Sequence, residues 1–126
     1  MSRKPHILVV DDEEFILKMT RDLFEKNGFE VATASNTIGA GYLLKDFDPD
    51  VVVLDIMLPG SLSGDQACDT LRAFKPDLKI IFYSGIDDDK LKELGDRHRA
   101  DAVICKGSRV SELLAIIRKL LDSEEA

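Results

Sequence analysis

The feature that most constrains the fold is a run of four apolar residues, Val51–Leu54, that leads directly into an acid, Asp55. Three of the four are β-branched and no polar residue alternates with them, which is typical of a strand covered on both faces, as in a parallel sheet. In open α/β sheets, ligands bind beyond the carboxyl ends of the strands. Asp55 is therefore a candidate site residue, although an isolated Asp in this position also suits the start of a turn.

Four further short apolar runs predict strands, at residues 6–10, 29–34, 79–83 and 102–105. Segments with helical periodicity or capping residues predict helices at residues 13–27, from 35 or 36 onward, 65–74, 87–99 and from 108 onward. Strands that alternate with helices across short connections favour βαβ units. We therefore expect an α/β fold with a parallel sheet and helices on both faces, forming a single domain over residues 1–126 with its core at about 6–122.

The amino-acid composition disfavours several classes of function. The chain has 126 residues, of which 44% are hydrophobic and 33% charged, and it contains no run near the roughly 20 apolar residues that a membrane span needs. The apolar run after the basic start is too short for a secretory signal, so we expect a cytoplasmic protein that does not enter membranes. A net charge of −7 disfavours direct binding to nucleic acid.

The histidines and cysteines lie apart from one another in the sequence. Cys68 falls in a predicted helix and Cys105 in a predicted strand, and neither has a neighbour at metal-ligand spacing. We interpret both as reduced packing residues. His6 and His98 are also isolated, and we expect both to be solvated surface residues.

Chemically useful side chains follow four of the five predicted strands: Asp11 and Asp12, Asp55, Ser84, and Lys106. The carboxyl ends of parallel strands meet at one edge of the sheet, so these groups should lie close together. Carboxylates repel one another by roughly 1 to 4 kcal/mol per pair at ~4 Å, and such a cluster favours Mg²⁺. A carboxylate can also accept a phosphoryl group, which a metal ion, an ammonium and a hydroxyl would stabilise.

In combination these motifs resemble the receiver domain of two-component response regulators, over nearly the whole chain. The matching segments are Val9-Val10-Asp11-Asp12, Leu54-Asp55-Ile56-Met57-Leu58-Pro59-Gly60, Tyr83-Ser84-Gly85 and Cys105-Lys106. They resemble, in that order, the family's acidic pair, its phospho-acceptor, its switch hydroxyl with a small neighbour, and its lysine.

The resemblance implies a flavodoxin-like, doubly wound, five-stranded parallel sheet with strand order 2-1-3-4-5. It implies that a histidine kinase or phosphotransfer protein donates a phosphoryl group to Asp55 and that a downstream protein responds. Mg²⁺ would be bound directly by Asp12, Asp55 and the Met57 carbonyl, and through water by Asp11. The chain would then be a signalling domain that catalyses its own phosphorylation, not a conventional enzyme.

Three positions depart from the family pattern. Gly107 stands where the family usually has Pro, and Val103 stands where an aromatic switch residue is usual. The loop that follows Asp55 is one residue longer before Gly64 than the common pattern. None of these changes removes a catalytic group, so they bear on the output and not on phosphorylation.

Two other functions compete with this interpretation. A pseudo-receiver would keep the fold as an interaction module without using phosphorylation, and the missing aromatic at Val103 keeps this alternative open. A haloacid-dehalogenase-type phosphatase also uses a strand-end Asp with Mg²⁺. That family has the motif Asp-x-Asp at its nucleophile, however, and the segment Asp55-Ile56-Met57 lacks the second acid. A dinucleotide-binding domain is remote, because no G-x-G-x-x-G follows the first predicted strand.

Overall fold

The five strands and five helices alternate strictly along the chain in a computed structural model, which describes residues 3–58 and 63–125, with side chains as far as residue 122. The elements are β1 (His6–Val10), α1 (Glu14–Lys26), β2 (Glu30–Ala34), α2 (Thr37–Asp46), β3 (Val51–Leu54), α3 (Gly64–Phe74), β4 (Lys79–Ser84), α4 (Asp88–His98), β5 (Ala102–Cys105) and α5 (Val110–Glu125). All strand pairs are parallel and the order is β2-β1-β3-β4-β5. The predicted α/β fold and strand order are confirmed.

The sheet is buried on both faces, which explains why its strands are apolar at every position. Alternate strand residues point to opposite sides. On one side, Val52, Leu54 and their neighbours pack with α2, α3 and α4. On the other side, Val51, Val53 and their neighbours pack with α1 and α5. All four residues of β3 are at most 1% exposed, so the strand that carries Asp55 is the fixed centre of the fold.

Of the two residues that the sequence offers as the N-cap of α2, Ser35 and Asn36, the structure has Asn36. The side chain of Asn36 accepts a hydrogen bond from the Gly39 backbone N–H at 2.8 Å, as is common for this residue type at a helix start. Helix α1 buries Phe24 as its periodicity predicts, but it also buries Thr20. The Thr20 hydroxyl donates to the Ile16 carbonyl oxygen at 2.7 Å, which satisfies a polar group that the apolar pattern does not reveal.

The prediction that both histidines are solvated was wrong. The His98 side chain is 14% exposed, with Nδ1 at 2.9 Å from Asp69 and Nε2 at 3.6 Å from Asp65. It therefore joins the end of α4 to α3. The His6 ring is partly buried, stacks on Phe47 and lies 2.8 Å from the Phe47 carbonyl oxygen. Both rings are held by residues distant in sequence, which isolated histidines in a sequence do not reveal.

Helix α4 lies close to β5 because Gly95 has no side chain. A Cβ atom at Gly95 would collide with Cγ1 of Val103. The glycine therefore permits a close approach and is not merely a weak helix former.

Across residues 3–58 and 63–125, no helix combines the length and apolarity that a membrane span requires.

Candidate functional site

The backbone hydrogen bonds of the sheet continue one step beyond the strand ends and fix the residues that follow them. The N–H of Asp55 donates to the Val10 carbonyl oxygen at 3.0 Å, and the N–H of Asp11 donates to Ala34 at 3.1 Å. The N–H of Lys106 donates to the Ser84 carbonyl oxygen at 2.9 Å. The three residues thus hold defined positions along one edge of the sheet.

Three carboxylates meet at this edge, as the sequence predicts. Asp11, Asp12 and Asp55 each place one oxygen within 4.8 Å of the others. Asp11 is 1% and Asp55 4% exposed, whereas Asp12 lies at the surface. A set of close oxygen donors with an open, solvated side fits a hard divalent cation such as Mg²⁺, which keeps several waters when bound.

Lys106 brings a positive charge into the same cluster. Its Nζ atom lies 2.8 Å from Asp11 Oδ2, 2.9 Å from Asp55 Oδ2 and 2.9 Å from Glu13 Oε2. Burial alone would lower the pKa of Lys106, but the hydrogen bonds to these carboxylates outweigh it and hold the pKa above its ordinary value. The ammonium is therefore charged at neutral pH.

The two buried acids have different partners. Burial raises the pKa of Asp11, and the hydrogen bonds from Lys106 and from the Glu13 N–H, at 2.9 Å, offset part of that rise. Asp55 accepts from Lys106 with Oδ2 and from the Met57 backbone N–H with Oδ1, the latter at 3.0 Å. Both oxygens of Asp55 are thereby oriented.

Ser84 contributes an unpaired hydroxyl. It is fully buried, and its Oγ is the one buried side-chain oxygen or nitrogen without a hydrogen-bond partner in the described parts of the chain. Leaving such a group unsatisfied costs about 1–3 kcal/mol. A free hydroxyl on the strand next to β3 is a donor that an incoming oxygen could use.

Gly64 packs against the backbone of Asp55 and Ile56. Its N–H donates to the Ile56 carbonyl oxygen at 3.2 Å, and a Cβ atom there would collide with the Asp55 carbonyl oxygen. The start of α3 therefore packs directly on the backbone that carries Asp55. Residues 59–62, where the longer loop was predicted, lie outside the described residues.

The sequence analysis missed Glu13 as a member of the site. It was assigned only to the start of a helix, yet its carboxylate contacts Lys106. Its position immediately after Asp11 and Asp12 is the signal that could have identified it. The predicted backbone oxygen of Met57 belongs to a residue that is 64% exposed, and its role as a metal ligand stays a prediction.

Residues 7–118 match the family model of the response regulator receiver domain. The chain belongs to this family. The receiver is 35% identical over 119 residues to the alkaline phosphatase synthesis transcriptional regulatory protein PhoP of Bacillus subtilis strain 168, which covers 94% of the receiver and 49% of PhoP. It is 36% identical over 115 residues to the response regulator MprA of Mycobacterium sp. strain KMS, covering 91% and 50% of the two chains.

The fold comparison agrees with the sequence comparison. A response regulator receiver domain protein (CheY-like) from Methanospirillum hungatei JF-1 superimposes with a TM-score of 0.89 at 28% identity, over 98% of each chain. The receiver spans about half the length of the curated relatives it matches. The chain is thus a receiver domain of two-component response regulators.

Proposed function

We propose that Asp55 accepts a phosphoryl group in a Mg²⁺-dependent reaction and that the phosphorylated receiver signals through changed binding to another protein. One observation carries this proposal: Asp55 is buried at the end of β3 with Oδ2 2.9 Å from the Lys106 ammonium. A carboxylate so placed is a charged nucleophile with its counter-charge already at hand.

The donor is a histidine kinase or phosphotransfer protein with a phosphohistidine. One carboxylate oxygen of Asp55 forms a bond to phosphorus while the bond from phosphorus to the imidazole nitrogen breaks. The electron pair of the broken bond stays on that nitrogen. The leaving imidazole is neutral once it carries one proton, either retained on its other ring nitrogen or taken up at the released one. The receiver's part is to present the oxygen and to neutralise the charge on the transferred group.

Asp11, Asp12, Asp55 and the Met57 carbonyl would hold the Mg²⁺. The close approach of the three carboxylates supports this donor set, because their mutual repulsion is only partly offset by the Lys106 ammonium and favours a divalent cation. When bound, the ion supplies charge neutralisation to the phosphoryl oxygens. Asp12, the exposed member, would leave one side of the ion open to water.

Lys106 and Ser84 bind the phosphoryl group once it is in place. Lys106 already contacts Asp55 and needs to move little to donate to a phosphoryl oxygen. The unpaired hydroxyl of Ser84 gains the hydrogen bond that it lacks. That gain favours a small displacement of β4 and of Gly85, the next residue, where no atom lies within 4 Å of the position that a Cβ would occupy.

Residues 1–126 form one receiver domain in this proposal, with its core at about 6–122. Its partners are the phosphoryl donor and a downstream protein. A net charge of −7 argues against direct contact between this domain and nucleic acid, even though PhoP is named a transcriptional regulatory protein. Such an activity would belong to the half of PhoP that this chain does not match.

Intact mass spectrometry after incubation with acetyl phosphate and Mg²⁺ tests the proposal. The wild type should gain the mass of one phosphoryl group, and Asp55→Asn should gain none. Asp50→Asn, which removes an acid near the other end of β3, is the matched control and should be phosphorylated like the wild type. Modification of Asp55→Asn to the wild-type extent would refute the assignment.

A further inference from the structure

The ammonium group of Lys106 has no donor to spare. An ammonium carries three N–H groups, and Lys106 Nζ lies within 2.9 Å of three carboxylates, those of Asp11, Glu13 and Asp55. The Lys106 side chain is only 16% exposed. Any additional acceptor must therefore take the place of one of the three carboxylates.

The three carboxylates differ in what their release would cost. The side chains of Asp11 and Asp55 are 2% and 5% exposed, whereas that of Glu13 is 58% exposed. A buried carboxylate that loses its only ammonium is left desolvated and unpaired. An exposed carboxylate that loses the ammonium is hydrated by water instead. Glu13 is therefore the partner that Lys106 can release most readily.

The conformation of Glu13 is directed toward this contact. Glu13 is the N-cap residue of α1, but its side chain makes no capping hydrogen bond. Its backbone N–H is held by Asp11, and its carboxylate reaches Lys106, 93 residues away in sequence. Residues that cap helices well have short side chains, so capping does not account for a long acid here.

We propose that Glu13 is a positioning residue that competes with a phosphoryl group on Asp55 for the ammonium of Lys106, a proposal that rests on phosphorylation at Asp55. When Asp55 is phosphorylated, the Lys106 N–H that donates to Asp55 in the unphosphorylated protein donates to a phosphoryl oxygen instead. The N–H on buried Asp11 stays in place. The phosphoryl group gains a second N–H from Lys106 only when Glu13 gives way.

Glu13 therefore weakens the hold of the site on the phosphoryl group. Its own negative charge beside the phosphoryl oxygens acts in the same direction. The effect is modest, because the competing ion pair is exposed and such pairs are weak. A receiver without this acid would retain the phosphoryl group more tightly.

Beryllofluoride with Mg²⁺, a mimic of the phosphoryl group on Asp55, measures this competition. The amide resonances of Ser84 and Lys106 follow the titration by NMR. Glu13→Gln should bind beryllofluoride about two- to five-fold more tightly than the wild type, the size of effect expected for an exposed ion pair. Glu13→Asp keeps the charge but is one methylene shorter, and should also bind more tightly because it no longer reaches Lys106.

Glu14→Gln is the matched control. Glu14 is the next residue, is exposed and makes the same change of net charge, so it should bind as the wild type does. Equal affinities for Glu13→Gln and Glu14→Gln would overturn the proposal. Tighter binding by Glu13→Gln alone, with Glu13→Asp unchanged, would also overturn it by showing a charge effect without the contact. If the wild type binds no beryllofluoride, or Asp55→Asn binds it equally, the phosphorylation site itself is wrong.

Discussion

The Nζ atom of Lys106 lies 2.9 Å from Oδ2 of Asp55, although the two residues are 51 positions apart in the chain. β5 ends just before Lys106, β3 ends just before Asp55, and β4 lies between the two strands. The sheet order therefore dictates that the long lysine side chain must cross one strand to reach the acid. This ion pair joins the central strand β3 to the edge strand β5 across β4.

Removal of the ammonium should destabilise the metal-free protein. In Lys106→Ala, Asp11 and Asp55 lose their positive partner, and breaking a buried ion pair from one side costs about 3 kcal/mol or more. Urea unfolding in EDTA should show this loss, whereas Lys92→Ala, at an exposed position of α4, should be near neutral. Equal stability of Lys106→Ala and wild type would show that the ion pairs with Lys106 do not stabilise the buried carboxylates.

Asp12 should report on the metal. It has an exposed carboxylate near two others, so Asp12→Ala should be more stable than the wild type in EDTA, by about 1 kcal/mol for one carboxylate pair in water. Wild type should gain about 1.4 kcal/mol at a Mg²⁺ concentration ten-fold above its Kd, and Asp12→Ala should gain little. Thermal melts with Asp22→Ala as control decide this. Equal stabilisation of wild type and Asp12→Ala would place the ion elsewhere.

Gly64 should not tolerate a side chain. Its Cβ would collide with the backbone oxygen of Asp55, and overpacking of this kind costs about 1–3 kcal/mol or more. Gly41, in the interior of α2, has no atom within 4 Å of the corresponding position, so Gly41→Ala should stabilise by up to about 1 kcal/mol through helix propensity. Chemical denaturation of the two variants should show opposite signs, and a neutral Gly64→Ala would contradict the packing.

Cys68 should be inert in the folded protein. Burial raises the pKa of its thiol from 9.0 to about 11, and the side chain is fully buried. At pH 8 a thiol reagent should therefore modify Cys105 first and Cys68 only after unfolding. Reaction of both thiols at one rate in the native protein would contradict this assignment.

The same shift predicts how stability depends on pH. The folded-state pKa of Cys68 lies above the unfolded value, so its contribution is fully present below pH 9.0 and is lost as pH rises toward about 11. Denaturation midpoints should fall over this window more in the wild type than in Cys68→Ala. Parallel pH profiles for the two proteins would show that the thiol does not ionise on unfolding.

The strands and the principal site residues could be predicted because burial on both faces leaves a strong signal in a sequence. An apolar run such as Val51–Leu54 identifies a central strand, and the polar residue after it falls at the ligand-binding edge. The same reasoning placed Asp11, Ser84 and Lys106. No long-range contact had to be known in advance.

Contacts that depend on tertiary packing could not be predicted. The Glu13 to Lys106 ion pair joins the first and last thirds of the chain and depends on side-chain rotamers. From the sequence alone Gly95 is expected only to weaken α4, yet a larger residue at this position would collide with Val103. The sequence suggests a surface position for His98, because its partners on α3 lie in a different part of the chain.

The proposed function requires that Asp55 itself carries the phosphoryl group. Borohydride reduces an aspartyl phosphate to homoserine, and peptide mapping by tandem mass spectrometry then locates the product. After treatment with acetyl phosphate and Mg²⁺, we predict homoserine at position 55 and at no other acid, and none when EDTA replaces Mg²⁺. Homoserine at Asp11 or Asp12 with an unmodified Asp55, or the same yield without Mg²⁺, would contradict Mg²⁺-dependent phosphorylation of Asp55.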